Sequence, residues 1–195
     1  MSNVPGYTYG TSAVGRSPVT LADFEQMKQS VLFGEADAKY LRMSHEVLKG
    51  EVEAILDVWY GFVGSTPHLV ASFSSRIDGK PLADYLGAVR KRFAQWILDT
   101  SRASYDQAWL DYQHEIALRH HRAKKNLTDH ADSTALVPFR HLFALIFPVT
   151  FTLRPFLAKQ GHSPDDVEKM YAAWLKSCLL QLTLWSHPYI KEGDF

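Results

Sequence analysis

The chain has 195 residues, enough for one domain with a sizeable core, and its 21 basic and 21 acidic side chains cancel. That balance leaves no electrostatic footprint for nucleic acid. A single cysteine, Cys178, excludes an intrachain disulfide and thiolate-rich zinc or iron–sulfur sites, and it fits a reducing, cytoplasmic setting.

Residues 1–19 carry Gly, Pro and Tyr without periodicity and are expected to form an arm. They lack a charged region followed by an apolar core, so no signal peptide is expected. Thr20 and Asp23 have the spacing of a capping box, with Asp in place of Glu or Gln, and open a short helix through about Val31 within the segment 20–33. A second helical stretch covers 35–49. From Glu51, the apolar residues Val52, Ile55, Leu56, Trp59, Phe62 and Val63 recur at helical spacing, with Tyr60 on the margin of the stripe. Gly64, Ser65 and Pro67 end that helix. After a turn-rich loop, Leu82, Tyr85, Leu86, Val89, Phe93, Trp96 and Ile97 mark another long helix, with Phe93 near the middle of its buried face.

The next stretch, Tyr105 to Asn126, is the best candidate for a site. Read as one helix at about 100° per residue from Trp109, Ile116 falls near −20°, His120 near +20° and His121 at about 120°. Tyr112 and Gln113 flank the same stripe. His120 thus continues the apolar face, while His121 turns toward Arg122, Lys124 and Lys125. A buried imidazole with unpaired nitrogens costs about 1–3 kcal/mol. The plain reading of His120 is a core histidine bonded to a backbone carbonyl or to Gln113. The sharper one is a metal ligand through Nε2, with Nδ1–H oriented by a carbonyl. Position on the helix does not choose between them.

A polar loop follows, and then a helix from about Pro138 to Lys159 that is apolar over most of its circumference. Phe139, Leu142, Phe143, Ile146 and Phe147 are expected on one face, with Leu145, Val149, Leu153 and Phe156 widening it; Pro148 and Pro155 should bend it. Its apolar run, Leu142 to Leu153, is too short to span a bilayer. The excess apolar face suits either a central helix packed on all sides or a contact with a second subunit. Ser163, Pro164, Asp165 and Asp166 make a strong helix start, and Val167 to Trp185 run down one face. No convincing strand emerges. The class is all-α.

Most site chemistries are absent. There is no HExxH, no pair of Glu-x-x-His motifs, no GxSxG and no Gly-rich phosphate loop. Haem remains, because it needs one neutral imidazole on a helix and an apolar, aromatic cavity. With 13% aromatic residues the chain has more rings than a plain bundle needs.

Several runs say more: VPGYTYG at 4–10, LDVWYGFVGS at 56–65, AVRKRFAQWILDTS at 88–101, YDQAWLDYQHEIALRHHRAKKN at 105–126, PFLAKQGHSP at 155–164 and the closing WSHPYIKEGDF. In order and spacing these resemble the protoglobins, single-domain prokaryotic globins related to the sensor domains of globin-coupled sensors. The resemblance spans nearly the whole chain. It implies one globin domain over 1–195, with an extra N-terminal helix at 20–33 before globin helices over 35–187. It also implies haem b held by His120, the first histidine of LRHH. Trp59, Tyr60 and Phe93 would form the distal side, with Tyr60 the donor to bound dioxygen, and Tyr112, Ile116, Leu142, Leu145 and Val149 would be further walls. Where relatives commonly carry an aromatic beside the haem, this chain has Leu145, so no relative's ligand preference carries over. The arm and loops are expected to cover the haem edge and leave narrow apolar tunnels.

The expectation is reversible binding of O2, CO or NO at a five-coordinate iron. The alternative is a haem enzyme that detoxifies NO or reactive nitrogen and oxygen species with electrons from an unidentified reductase. A third reading is a haem-free interaction module on the same helices. A homodimer through the 138–159 and 164–187 helices is expected, a signalling partner would be needed for any sensing output, and no nucleic acid or membrane partner is expected.

Overall fold

The structure is a computed structural model and describes residues 4–195; the first three residues of the expected arm lie outside it. Nine α-helices are found among the described residues: α1 (Leu21–Ser30), α2 (Glu35–Leu48), α3 (Val52–Gly64), α4 (Pro67–Val70), α5 (Ala83–Arg102), α6 (Gln107–His120), α7 (Phe139–Ala144), α8 (Ile146–Leu157) and α9 (Pro164–Ser186). Two isolated bridges, Ser74 with Pro81 and Ser75 with Ser133, are the only strand-like pairs there. Among the described residues no helix is long and apolar enough to cross a membrane.

The helix starts follow local chemistry. Thr20 Oγ1 accepts from the Asp23 amide at 3.1 Å while Asp23 Oδ2 accepts from the Thr20 amide at 3.1 Å, the reciprocal box expected at that spacing. At α9, Ser163 Oγ accepts from the Asp166 amide at 3.1 Å and Pro164 takes the first helical position. The only buried side chain of α1 is Phe24, which sits 5.2 Å from Trp109 and 5.8 Å from Tyr105, so one ring seats α1 on the start of α6.

Helix α9 is the central element and packs against α2, α6 and α8. Its fully buried Trp174 donates Nε1–H to Ser44 Oγ of α2 at 2.8 Å, so a large ring enters the core with its polar atom paired. Helices α2 and α5 pack together, as do α3 and α8.

Two expectations need correction. The helix expected to run to Asn126 stops at His120. His121 has the extended conformation of a terminating residue (φ −89, ψ 160), and its amide donates to Ala117 O. Amides of the following loop take over the last carbonyls: Lys124 N bonds Leu118 O at 3.1 Å, and Val137 N bonds His120 O at 2.9 Å. The angle assigned to His121 therefore does not apply, and Lys125, expected on a polar face, turns inward and is 4% exposed.

The single helix expected over 138–159 is two helices broken at Leu145. Pro148 has no N–H to bond Ala144 O, and its ring crowds that carbonyl, which is where α7 stops. The apolar residues also divide between two faces. Leu142, Leu145, Ile146 and Val149 turn inward to a cavity, whereas Phe143, Phe147 and Phe151 are 61%, 67% and 58% exposed.

Candidate functional site

A cavity of about 270 Å³ lies between α3 and α5 on one side and α6 and the end of α9 on the other, with α7 and α8 closing one flank. One ordered water needs roughly 10–15 Å³ by the same kind of measure, so this space is far larger than a packing defect. Trp59, Tyr60, Phe93, Tyr112, Ile116, His120, Leu142, Leu145 and Val149, each singled out in the sequence, all line it.

The α3–α5 wall is aromatic. Trp59 and Phe93 meet edge to face at 5.8 Å, and Phe93 is 5.4 Å from Trp96. Leu145 and Val149 pack against the small cluster of Trp59, Val63 and Leu69. Burial pushes the Tyr60 phenol well above its ordinary value despite Arg90 and Arg92 nearby, so it keeps its proton. No protein hydrogen bond of that hydroxyl is formed among the described residues, which leaves it free to donate.

His120 occupies the opposite wall. Its Nδ1 lies 2.9 Å from Ile116 O, one turn back on α6, so Nδ1 carries the proton and donates to that carbonyl. Gln113, the other partner considered for it, instead accepts from Trp185 Nε1 at 2.9 Å. The Trp185 ring lies nearly parallel to the imidazole, 5.3 Å between centroids and 21° between planes. Burial pulls the His120 pKa down, outweighing the Ile116 bond, with Lys125 adding to the effect. The ring is thus neutral, and Nε2 keeps its lone pair at the cavity wall. His121 lies outside the cavity lining, packed edge-on to Tyr189 at 5.0 Å.

The charged lining comes from α5, the end of α6 and the loop after it, beside the N-terminal arm. Arg92 is paired with Asp129 at 2.5 Å and donates to Pro5 O at 3.0 Å. Arg119 bonds Glu115 at 2.9 Å, Gly6 O at 2.5 Å and Thr8 Oγ1 at 3.0 Å. Gly6 has φ +73, and a Cβ there would stand 2.5 Å from Thr128 Cγ2, so only glycine lets the arm lie this close. Tyr7 and Tyr9 both meet Tyr112 edge-on at 5.3 Å. Arg92, Arg119, Lys125 and Trp185 were not singled out as site residues. Each has at least one partner tens of residues away in sequence (Arg92 with Asp129, Arg119 with Gly6, Lys125 with Ser72, Trp185 with Gln113), and no local pattern announces those pairs.

A flat, mostly apolar group held by one imidazole would fit these residues. Among the described residues no group of three or more His, Cys, Asp or Glu side chains is placed to hold a metal ion. A metal at His120 would lack a full set of protein ligands and would need other donors for the rest, as haem iron has in its macrocycle.

The comparisons bear on the family and the fold. The protoglobin family model matches residues 20–195. The globin domain of a globin-coupled sensor from Geobacter sulfurreducens superposes with a TM-score of 0.62 at 14% identity, covering 86% of this chain and 97% of that one. At that identity the likeness shows the fold, which is the globin fold. No curated protein matches the chain significantly.

The arm is held over the cavity edge by a charge that titrates. Burial pushes the Glu115 carboxyl up, but its bonds to Lys124 and Arg119 outweigh this and leave it below the ordinary glutamate range. A carboxyl depressed in the folded state stabilises the fold above its unfolded pKa, and that contribution is lost as pH falls through the folded value. Glu115→Gln should therefore flatten the loss of stability on acidification below about pH 4.5, measured by urea melts across pH. Parallel profiles for the two proteins would contradict this role.

Proposed function

Since this chain belongs to the protoglobin family, we propose that it holds haem b in this cavity through His120 and reversibly binds O2, CO or NO opposite that histidine. The observation that carries the reading is the neutral imidazole of His120, with Nδ1–H committed to Ile116 O and Nε2 unspent at the wall of an aromatic cavity. When bound, haem supplies an iron centre with one coordination position left open for a diatomic gas.

The protein residues divide the remaining work. The Ile116 carbonyl fixes the tautomer of His120 and raises the donor strength of Nε2, while Trp185 limits rotation of the ring. Tyr60 offers a protonated hydroxyl without a protein partner. Trp59 and Phe93 exclude water from the same side, and Leu145 leaves room there that a ring would fill. Tyr60, Val63 and Phe73 also border a second apolar opening between α3 and α5, which supports access of small apolar gases from that side.

The exposed row Phe143, Phe147 and Phe151, with Phe147 stacked on Phe151 at 5.5 Å, supports a homodimer formed through α7, α8 and α9. A cytoplasmic setting remains the expectation from the lone buried thiol of Cys178.

His120→Ala should abolish stable haem retention, whereas His121→Ala should leave the absorption spectrum of the reduced, CO-treated protein nearly unchanged. Equal loss in both variants would remove His120 from the proximal role. Tyr60→Phe should speed O2 dissociation by about tenfold or more, the effect of losing one hydrogen bond to a polarised ligand, measured by stopped flow; an unchanged rate would take Tyr60 off the distal side. Phe147→Lys should convert a dimer to a monomer in sedimentation equilibrium with the helical CD signal kept, and a monomeric parent protein would defeat the dimer reading.

A further inference from the structure

Lys125 is the odd residue of the cavity wall. It is 4% exposed, yet it forms no ion pair among the described residues, whereas the other two lining cations, Arg92 and Arg119, are each matched to a carboxylate. Its ammonium donates to Ser72 O at 2.9 Å. The next contacts are stretched, Asn126 Oδ1 at 3.3 Å and Ser133 Oγ at 3.5 Å, and the Tyr85 ring lies 5.2 Å away. Good N–H···O bonds run at about 2.7–3.2 Å, so one of three N–H groups is well spent and two are not.

A buried cation surrounded by neutral groups is expensive, and proteins retain one only where a counter-charge or a function needs it. Burial alone pulls this ammonium down to about 8, so it is mostly charged near neutral pH. Asn126 is itself held by Nδ2–H donation to Ser133 O at 2.8 Å, and Ser133 Oγ–H donates to Ser72 O at 3.0 Å, so the surrounding loops hold the amine in place at the cavity. An alkyl side chain would fill the same space without the charge.

We infer that Lys125 is the counter-charge for a carboxylate of the group that fills this cavity, one of the two acid side chains of the porphyrin. The inference rests on the proposed haem function and adds to it the residue that recognises the acid edge. A carboxylate at Lys125 takes the two poorly used N–H groups and neutralises the buried charge. The rival account makes Lys125 a structural pin that joins the Ser72 and Ser133 loops and has no preference for an acid ligand.

Haemin and its dimethyl ester separate the two, because they differ in whether the acid groups carry charge. Each is loaded into the unmodified protein, Lys125→Met and Lys125→Arg, and the rate of transfer to excess apomyoglobin is followed. The unmodified protein should release the ester about tenfold or more faster than haemin, the effect of losing one bond to a charged group. Lys125→Met should release haemin faster by a similar factor and the ester within about twofold of the unmodified protein, while Lys125→Arg should hold haemin better than Lys125→Met. Equal acceleration of both compounds in Lys125→Met would establish the pin and overturn the inference. So would equal retention of both compounds by the unmodified protein. Uptake of neither compound would overturn the haem function itself, whereas uptake without discrimination would overturn only the carboxylate at Lys125.

Discussion

The site depends on one hydrogen bond, Nδ1–H of His120 to the carbonyl of Ile116 one turn earlier. It decides which nitrogen carries the proton and therefore which one faces the cavity. The bond is available because a helical carbonyl has two lone pairs, one for its own amide partner and one for the imidazole a turn further on. Where the helix ends matters for another residue of the wall. A helix continuing to Asn126 would send Lys125 to solvent. The imidazole is further restrained by Trp185, whose Nε1–H is held by Gln113 on the same helix as the histidine. The last turns of α6 and α9 are therefore coupled through one indole.

The flank of the cavity carries a break of another kind. Pro148 cannot bond back to Ala144, so α7 and α8 meet at Leu145 instead of continuing as one rod. Leu142, Leu145, Ile146 and Val149 recur at helical spacing and line the cavity, while Phe143, Phe147 and Phe151 recur at the same spacing on the outside. The helical period, carried across the break, accounts for both the flank of the pocket and the exposed aromatic row.

What could be read from the sequence was whatever repeats along a helix. The 3.6-residue period put His120 on the apolar face, and capping residues located the starts of α1 and α9. The nine residues named for the site, several of them only through the resemblance to protoglobins, line one cavity. What could not be read was set by partners far along the chain. Lys125 looked like one more cation in a basic run because its closest acceptor, Ser72 O, comes from 53 residues earlier in the chain. Arg119 drew no reading of its own, since Gly6 and Thr8, the partners that place it at the cavity edge, belong to an arm without periodicity. The stop at His120 was missed for the same reason, since Val137, far ahead in the chain, supplies the amide that caps it.

A cavity bounded by α3, α5, α6, α7, α8 and α9 also has an energetic consequence. Walls that line a cavity take dispersion contacts from the group that fills it and not from facing side chains. Whatever binds only the folded state then adds its binding free energy to the stability of all six helices at once. The polar devices on the wall fit that arrangement, because an unspent imidazole nitrogen and a cation without a carboxylate are each costly alone, and the proposed haem would satisfy both. Packing apolar residues against both would leave nothing to recognise, so the cost of these groups and the selectivity they would give have the same origin.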